Sequence, residues 1–149
     1  MDLRYAKRSE ETEQIRVVQW ANRAREEYRA LRWLYHIPNG GKRGKAEAQA
    51  LKQMGVKAGV SDLFLPYPRG KYHGMYIEMK YGKNTTTKEQ TEFLTDMQEY
   101  GYFVCICYSA EAAKEMLIRY MNLQGQQEIM ISEIKREVRI NRNKLPVVQ

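Results

Sequence analysis

Apolar positions along this chain recur with two periods, one near 3.6 and one of 2, and the switches between them lay out its elements. Across Glu10 to Leu31, residues Ile15, Val18, Ala21, Ala24 and Tyr28 return every third or fourth position with charges between them, which predicts one long amphipathic helix. Ser9 stands before it as the N-cap, and acidic residues fill the first turn. Trp33 to His36 reads as a short strand stopped by the turn signal Pro38-Asn39-Gly40-Gly41. Lys45 to Met54 has high helix propensity and ends at Gly55. Two apolar runs, Gly59 to Pro66 and Tyr72 to Lys80, then predict a hairpin across the turn Pro66 to Gly70.

A polar loop from Gly82 leads to Thr87, which caps a helix from Lys88 to Tyr100 ended by Gly101. Tyr102 to Tyr108 is the most apolar strand, and Ser109 caps a helix from Glu111 to about Leu123. Beyond Gly125 the pattern weakens. Ile129, Ile131, Ile134 and Val138 predict one more amphipathic helix, and RINRNKLPVVQ reads as a mobile basic tail. The order α-β-α-β-β-α-β-α describes an α/β fold, a small mixed sheet flanked by helices. Residues 1–124 are expected to form the domain, with 125–149 a C-terminal helix and tail available for dimerisation or DNA contact.

Composition narrows this little. The chain has 149 residues, 43% hydrophobic and 29% charged, enough for one domain with a core. No apolar run approaches the roughly 20 residues of a membrane span. The N-terminus MDLRYAKRSEETEQ is polar and shows no hydrophobic leader, so a cytoplasmic location is expected. Cys105 and Cys107 lie too close on one strand to bridge readily and are expected as buried thiols. The formal charge of +7 favours a polyanionic partner, nucleic acid first.

The candidate chemistry is carried by Asp62, in GVSDLFLPY, and by Glu78 and Lys80, in MYIEMKYGK. Glu78 and Lys80 are alternate residues at a strand end and point to one face. Two carboxylates converging at strand ends hold a divalent cation through oxygen, and a neighbouring lysine activates a water or neutralises charge. Such hard ligands, without a Cys/His cluster, favour Mg²⁺ or Mn²⁺ over zinc. Gln90, in the first turn of its helix, is placed to reach back toward that strand end. Glu13 is the preferred further metal-bridging carboxylate because it lies one turn before Val17, near the buried stripe; Glu10 and Glu11 compete with it. The glycine-rich segment Asn39-Gly40-Gly41-Lys42-Arg43-Gly44-Lys45 offers backbone N–H groups and three cations to a phosphate, and Lys83 and Asn84 follow the active-site strand.

In their order and spacing, E-Q-I, HIPNGG, a helix ending in MG, GVSDLFL, MYIEMKYGKN, Gln90 and EYGYFVCICYSAEAA resemble the VRR-NUC family. That family is a branch of the PD-(D/E)xK nucleases, and the likeness runs from about Glu10 to Leu123. It implies a restriction-endonuclease-like αβββαβ core and Mg²⁺- or Mn²⁺-dependent hydrolysis of DNA. Asp62, Glu78 and the Met79 backbone carbonyl would hold the metal, Lys80 would position or deprotonate the attacking water, Glu13 would be the helix glutamate, and Gln90 would steady the lysine or the scissile phosphate. The HIPNGG loop, with Asn39, Gly40, Lys42, Arg43 and Lys45, and Lys83 beyond the strand, would contact DNA. A compact member of phage type implies branched DNA, four-way junctions cut by a homodimer, and no small-molecule cofactor. One departure is Ser61, where the family carries proline before the aspartate. The alternatives are a nuclease that nicks, trims flaps or restricts without junction preference, and a non-catalytic DNA-binding module of the same fold.

Overall fold

A computed structural model of the chain describes residues 1–38 and 41–149. Its centre is a six-stranded mixed sheet in the order β1-β2-β3-β4-β6-β5. The strands are β1 (Tyr35–His36), β2 (Leu63–Leu65), β3 (Met75–Met79), β4 (Phe103–Cys107), β5 (Val138–Ile140) and β6 (Pro146–Val148). β1, β2 and β3 pair antiparallel, β4 runs parallel to both β3 and β6, and β5 closes the far edge antiparallel to β6. The helices are α1 (Glu10–Ala24), α2 (Lys45–Gln53), α3 (Lys88–Glu99) and α4 (Ala110–Met121).

Strand alternation divides the core in two. Leu63, Leu65, Met75, Ile77, Met79, Cys105 and Cys107 point to one face and pack with Val17 and Ala21 of α1 and Ala113, Met116 and Leu117 of α4. Val104, Ile106 and Val147 point to the other face and pack with Leu94 of α3 and with Leu145. Glu78 alternates with Ile77 and Met79, so it belongs to the α3 face. The two thiols are reduced and buried, 3.6 Å apart. Among the described residues no helix is long and apolar enough to cross a membrane.

The structure follows the expected elements except in two places. The first helix stops at Ala24 rather than continuing to Leu31, and a 3-10 helix (Arg29–Trp33) follows it. Helical spacing continues past Ala24, yet a helix over 22 residues would run about 33 Å; the turn at Tyr28 (φ −116°) instead brings Leu31 into the core and β1 back alongside β2. The second is the C-terminal segment. No helix runs through Ile129–Val138: a 3-10 turn (Ile131–Glu133) precedes the β5–β6 hairpin. The supposed tail therefore supplies most of the edge strand β5 and the interior strand β6, with Leu145, Val147 and Val148 buried. Asn141 fixes the hairpin turn by accepting the N–H groups of Asn143 and Leu145 on its side-chain oxygen.

Candidate active site

The hairpin ladder ends at Leu63, and beyond it the Asp62 side chain takes over from backbone pairing. Its Oδ2 accepts the Met79 N–H at 2.8 Å, so the carboxylate is held against the end of β3. The Asp62 carbonyl accepts the Ile37 N–H at 3.0 Å and the His36 Nδ1–H at 2.7 Å, which ties β1 to the same point. Glu78 is fully buried beside it, and its Oε2 has no hydrogen-bond partner. Lys80 Nζ lies 3.5 Å from Glu78 Oε1 and 4.0 Å from Glu10 Oε1. Asp62, Glu78 and Lys80 thus meet as the alternation of β3 requires.

Burial and the Asp62 charge push the Glu78 carboxyl up to about 8, with Lys80 opposing them. Burial also raises Asp62 above its ordinary value, against the Met79 N–H and the charges of His36 and Lys80. A buried carboxyl with an orphaned oxygen and a half-buried one, both raised, form a site short of positive charge. Among the described residues no three His, Cys, Asp or Glu side chains cluster as a metal site. The carboxylate pair fits a divalent cation by its oxygen chemistry and its unsatisfied acceptor. Asp62, Glu78 and the adjoining Met79 carbonyl are the groups that would hold it.

The helix glutamate differs from expectation. Glu13 is fully buried, but its Oε1 accepts from Arg8 Nη2 at 2.5 Å and from the Ala110 N–H at 3.3 Å, and Arg16 Nε lies 3.4 Å from its Oε2. Burial would raise this carboxyl, yet Arg8, the Ala110 N–H and Arg16 together hold it below its ordinary value. Glu13 joins α1 to the start of α4; the glutamate that reaches Lys80 is Glu10, one turn earlier. Asn84 Nδ2 donates to Glu10 Oε1 at 3.3 Å, and the Tyr108 hydroxyl fixes that loop by donating to the Asn84 carbonyl at 2.5 Å.

Gln90 stands near the site without touching Lys80 through any hydrogen bond. Its Oε1 accepts the Thr87 N–H at 2.9 Å while Thr87 Oγ1 accepts the Gln90 N–H at 3.1 Å, a reciprocal cap that starts α3. Gly59, at φ +88°, lets the Asp62 loop press on this turn: a Cβ there would lie 2.5 Å from the Glu89 carbonyl. Ser61 is buried with its hydroxyl unpaired.

Of the expected DNA contacts, Asn39 and Gly40 lie outside the described residues. Lys42, Lys45 and Lys83 are exposed and Arg43 is half-buried, its Nη2 3.4 Å from the Pro38 carbonyl. The segment carrying Lys42, Arg43 and Lys45 leaves β1 beside Asp62 and enters α2, none of whose residues is buried. A cleft of about 750 Å³ between α4 and residues 127–136 contains none of the candidate residues. His36, Asn84 and Tyr108 join the site as partners of its residues, a role the sequence reading does not give them: it places His36 in the HIPNGG loop, Asn84 after the active-site strand as a DNA-backbone contact, and Tyr108 only within the EYGYFVCICYSAEAA motif.

No curated protein sequence matches this chain. A solved structure of a VRR_NUC domain protein superposes with a TM-score of 0.67 at 27% identity, covering 79% of this chain and 92% of that one. The VRR-NUC domain family profile matches residues 5–111, the span that holds Glu10, Asp62, Glu78, Lys80 and Gln90. This chain belongs to the VRR-NUC domain family and has the nuclease-like, DNA-processing fold of that family.

Proposed function

We propose that this protein is a Mg²⁺- or Mn²⁺-dependent DNA endonuclease that cuts branched DNA, four-way junctions foremost, as a homodimer in the bacterial cytoplasm. The observation that carries the reading is half-buried Asp62, fastened to the end of β3 through the Met79 N–H, beside buried Glu78, whose Oε2 is unsatisfied and whose Oε1 lies 3.5 Å from Lys80 Nζ. Mg²⁺ or Mn²⁺ held by Asp62, Glu78 and the Met79 carbonyl would supply a polarised phosphoryl oxygen and a bound water of lowered pKa.

The chain's own groups do the rest. Asp62 is oriented by the Met79 N–H, so its other oxygen is free to bind. Lys80 brings an ammonium group to the carboxylate pair, where it holds the attacking water and offsets charge on the phosphate. Glu10, 4.0 Å from Lys80 and steadied by Asn84, replaces Glu13 as the helix glutamate. Glu13 positions the helix that carries Glu10. Gln90 acts by capping α3 against the Asp62 loop. Lys42, Arg43, Lys45 and Lys83 contribute cations to the phosphate backbone, with Asn39 and Gly40 in the same loop. A symmetric junction needs two cuts, which suits two sites related by a two-fold axis.

The test is cleavage of labelled four-way junction, flap, single-stranded and linear duplex DNA in Mg²⁺ and in Mn²⁺, with Lys80→Ala alongside. Paired symmetric cuts in the junction, absent in the variant, are expected. Full activity in Lys80→Ala would remove the assigned site. Equal cutting of every substrate would keep the nuclease and discard junction preference.

A further inference from the structure

The register of the sheet extends the catalytic row beyond the catalytic strands. Glu78 faces Ile106, Ile106 faces Val147, and Val147 faces Arg139, each as direct partners on neighbouring strands. Residues in register across a sheet point to one face, so Arg139 stands on the α3 face in the same row as Glu78. Three strand spacings separate them, about 14 Å.

Between them lies a groove of about 420 Å³ lined by Thr85, Thr86, Thr91, Tyr108, Arg139 and Arg142, among others. Its walls carry two guanidinium groups, hydroxyls and the Asn141 and Asn143 amides, and no carboxylate. Both arginines are exposed, and among the described residues neither forms an ion pair. The groove opens directly beside the site: Tyr108 on its wall donates to the Asn84 carbonyl, and Asn84 donates to Glu10. The hairpin that bears both arginines is held in place by the Asn141 turn and by β6 pairing with β4. Two cations without an ion-pair partner among the described residues, beside neutral hydroxyl and amide groups, match the oxygens of a phosphodiester backbone. The family profile ends at residue 111, so Arg139 and Arg142 lie outside the matched segment, while Thr85, Thr86, Thr91 and Tyr108 lie within it.

We propose that the C-terminal hairpin is a second DNA-backbone clamp, with Arg139 and Arg142 binding phosphates a few nucleotides from the one at Asp62, Glu78 and Lys80. The proposal rests on the nuclease reading above and adds where the substrate continues. It makes the groove a continuation of the catalytic cleft.

The test compares wild-type protein, Arg139→Gln/Arg142→Gln, Arg139→Lys/Arg142→Lys and Arg23→Gln/Arg25→Gln. The last pair removes the same charge from the far end of α1, about 20 Å from Glu10 along the helix. Binding of a labelled four-way junction and of a linear duplex is followed by fluorescence anisotropy in EDTA across a salt series. For Arg139→Gln/Arg142→Gln, Kd should rise roughly five- to tenfold, and the slope of log Kd against log salt should fall by about 1.4–1.8, the loss of two phosphate contacts. The lysine pair should restore the slope, and the Arg23/Arg25 pair should change it much less. A glutamine pair at the hairpin that behaves like the Arg23/Arg25 pair, or like wild type, overturns the clamp. Wild-type cleavage in Mg²⁺ is run alongside, so a protein that binds through the hairpin but does not cut would sink the nuclease reading and leave the clamp standing.

Discussion

Glu78 is held in a buried site without a protein hydrogen bond to its Oε2, and its titration is the most direct consequence at the scale of single residues. Its folded value is about 8 against an ordinary value of 4.5. The unfolded chain gives up this proton first, so the stabilisation is whole below about pH 4.5 and is lost as pH rises through about 8. In EDTA, Tm of the wild type should fall between about pH 5 and pH 8, whereas Glu78→Gln should fall less and be the more stable at pH 8. The difference is a few kcal/mol at most, since a tenfold change in proton affinity is worth about 1.4 kcal/mol; parallel Tm profiles would refute it. Glu10 and Glu13 give a second contrast. Glu10→Gln should lower kcat by tenfold or more with Tm within about 1 °C, because Glu10 is part-exposed and its contacts are one hydrogen bond from Asn84 and a 4.0 Å approach to Lys80. Glu13→Ala should instead cost roughly 2–3 kcal/mol by denaturant unfolding, by stranding Arg16 and the Ala110 N–H. Equal effects of the two on kcat and stability would undo the assignment.

Among the elements, α3 bears on the site through the loop before Asp62, and the C-terminal hairpin bears on the core beneath α3. The α3 cap presses on the loop before Asp62 at Gly59, whose φ of +88° and contact with the Glu89 backbone exclude a side chain. Gly59→Ala should therefore destabilise the fold by more than about 1 kcal/mol and depress cleavage as the Asp62 loop shifts. Wild-type activity in that variant would show the loop to be adjustable. The hairpin bears on stability just as directly. Leu145 is fully buried under α3, so Leu145→Ala should cost about 2–5 kcal/mol in chemical unfolding. A mobile tail would give a change near zero. Helices with strong caps were the legible elements: Ser9, Thr87 and Ser109 each accept the N–H three residues on, as their residue types predict.

For the whole molecule, the excess charge of +7 and the basic loops on the site side make DNA binding salt-dependent, and the proposed junction chemistry calls for two copies. Light scattering with and without junction DNA should give the mass of a dimer; a monomer in both would remove the resolvase reading while leaving a nuclease. The sequence by itself determined the hairpin, the central strand, the capped helices and the trio Asp62, Glu78 and Lys80, because alternation and capping are local and put Glu78 and Lys80 on one face at one end of one strand. It could not choose between Glu10 and Glu13. Residues three apart share a helix face, and only the docking of α1 on α4 turns one glutamate inward to Arg8 and Arg16 and leaves the other at Lys80. Nor could it find β6, a three-residue strand starting at Pro146, too short to show a period. That strand exists because β4 offers it a parallel edge and α3 a covered face, and only the folded sheet brings those two together.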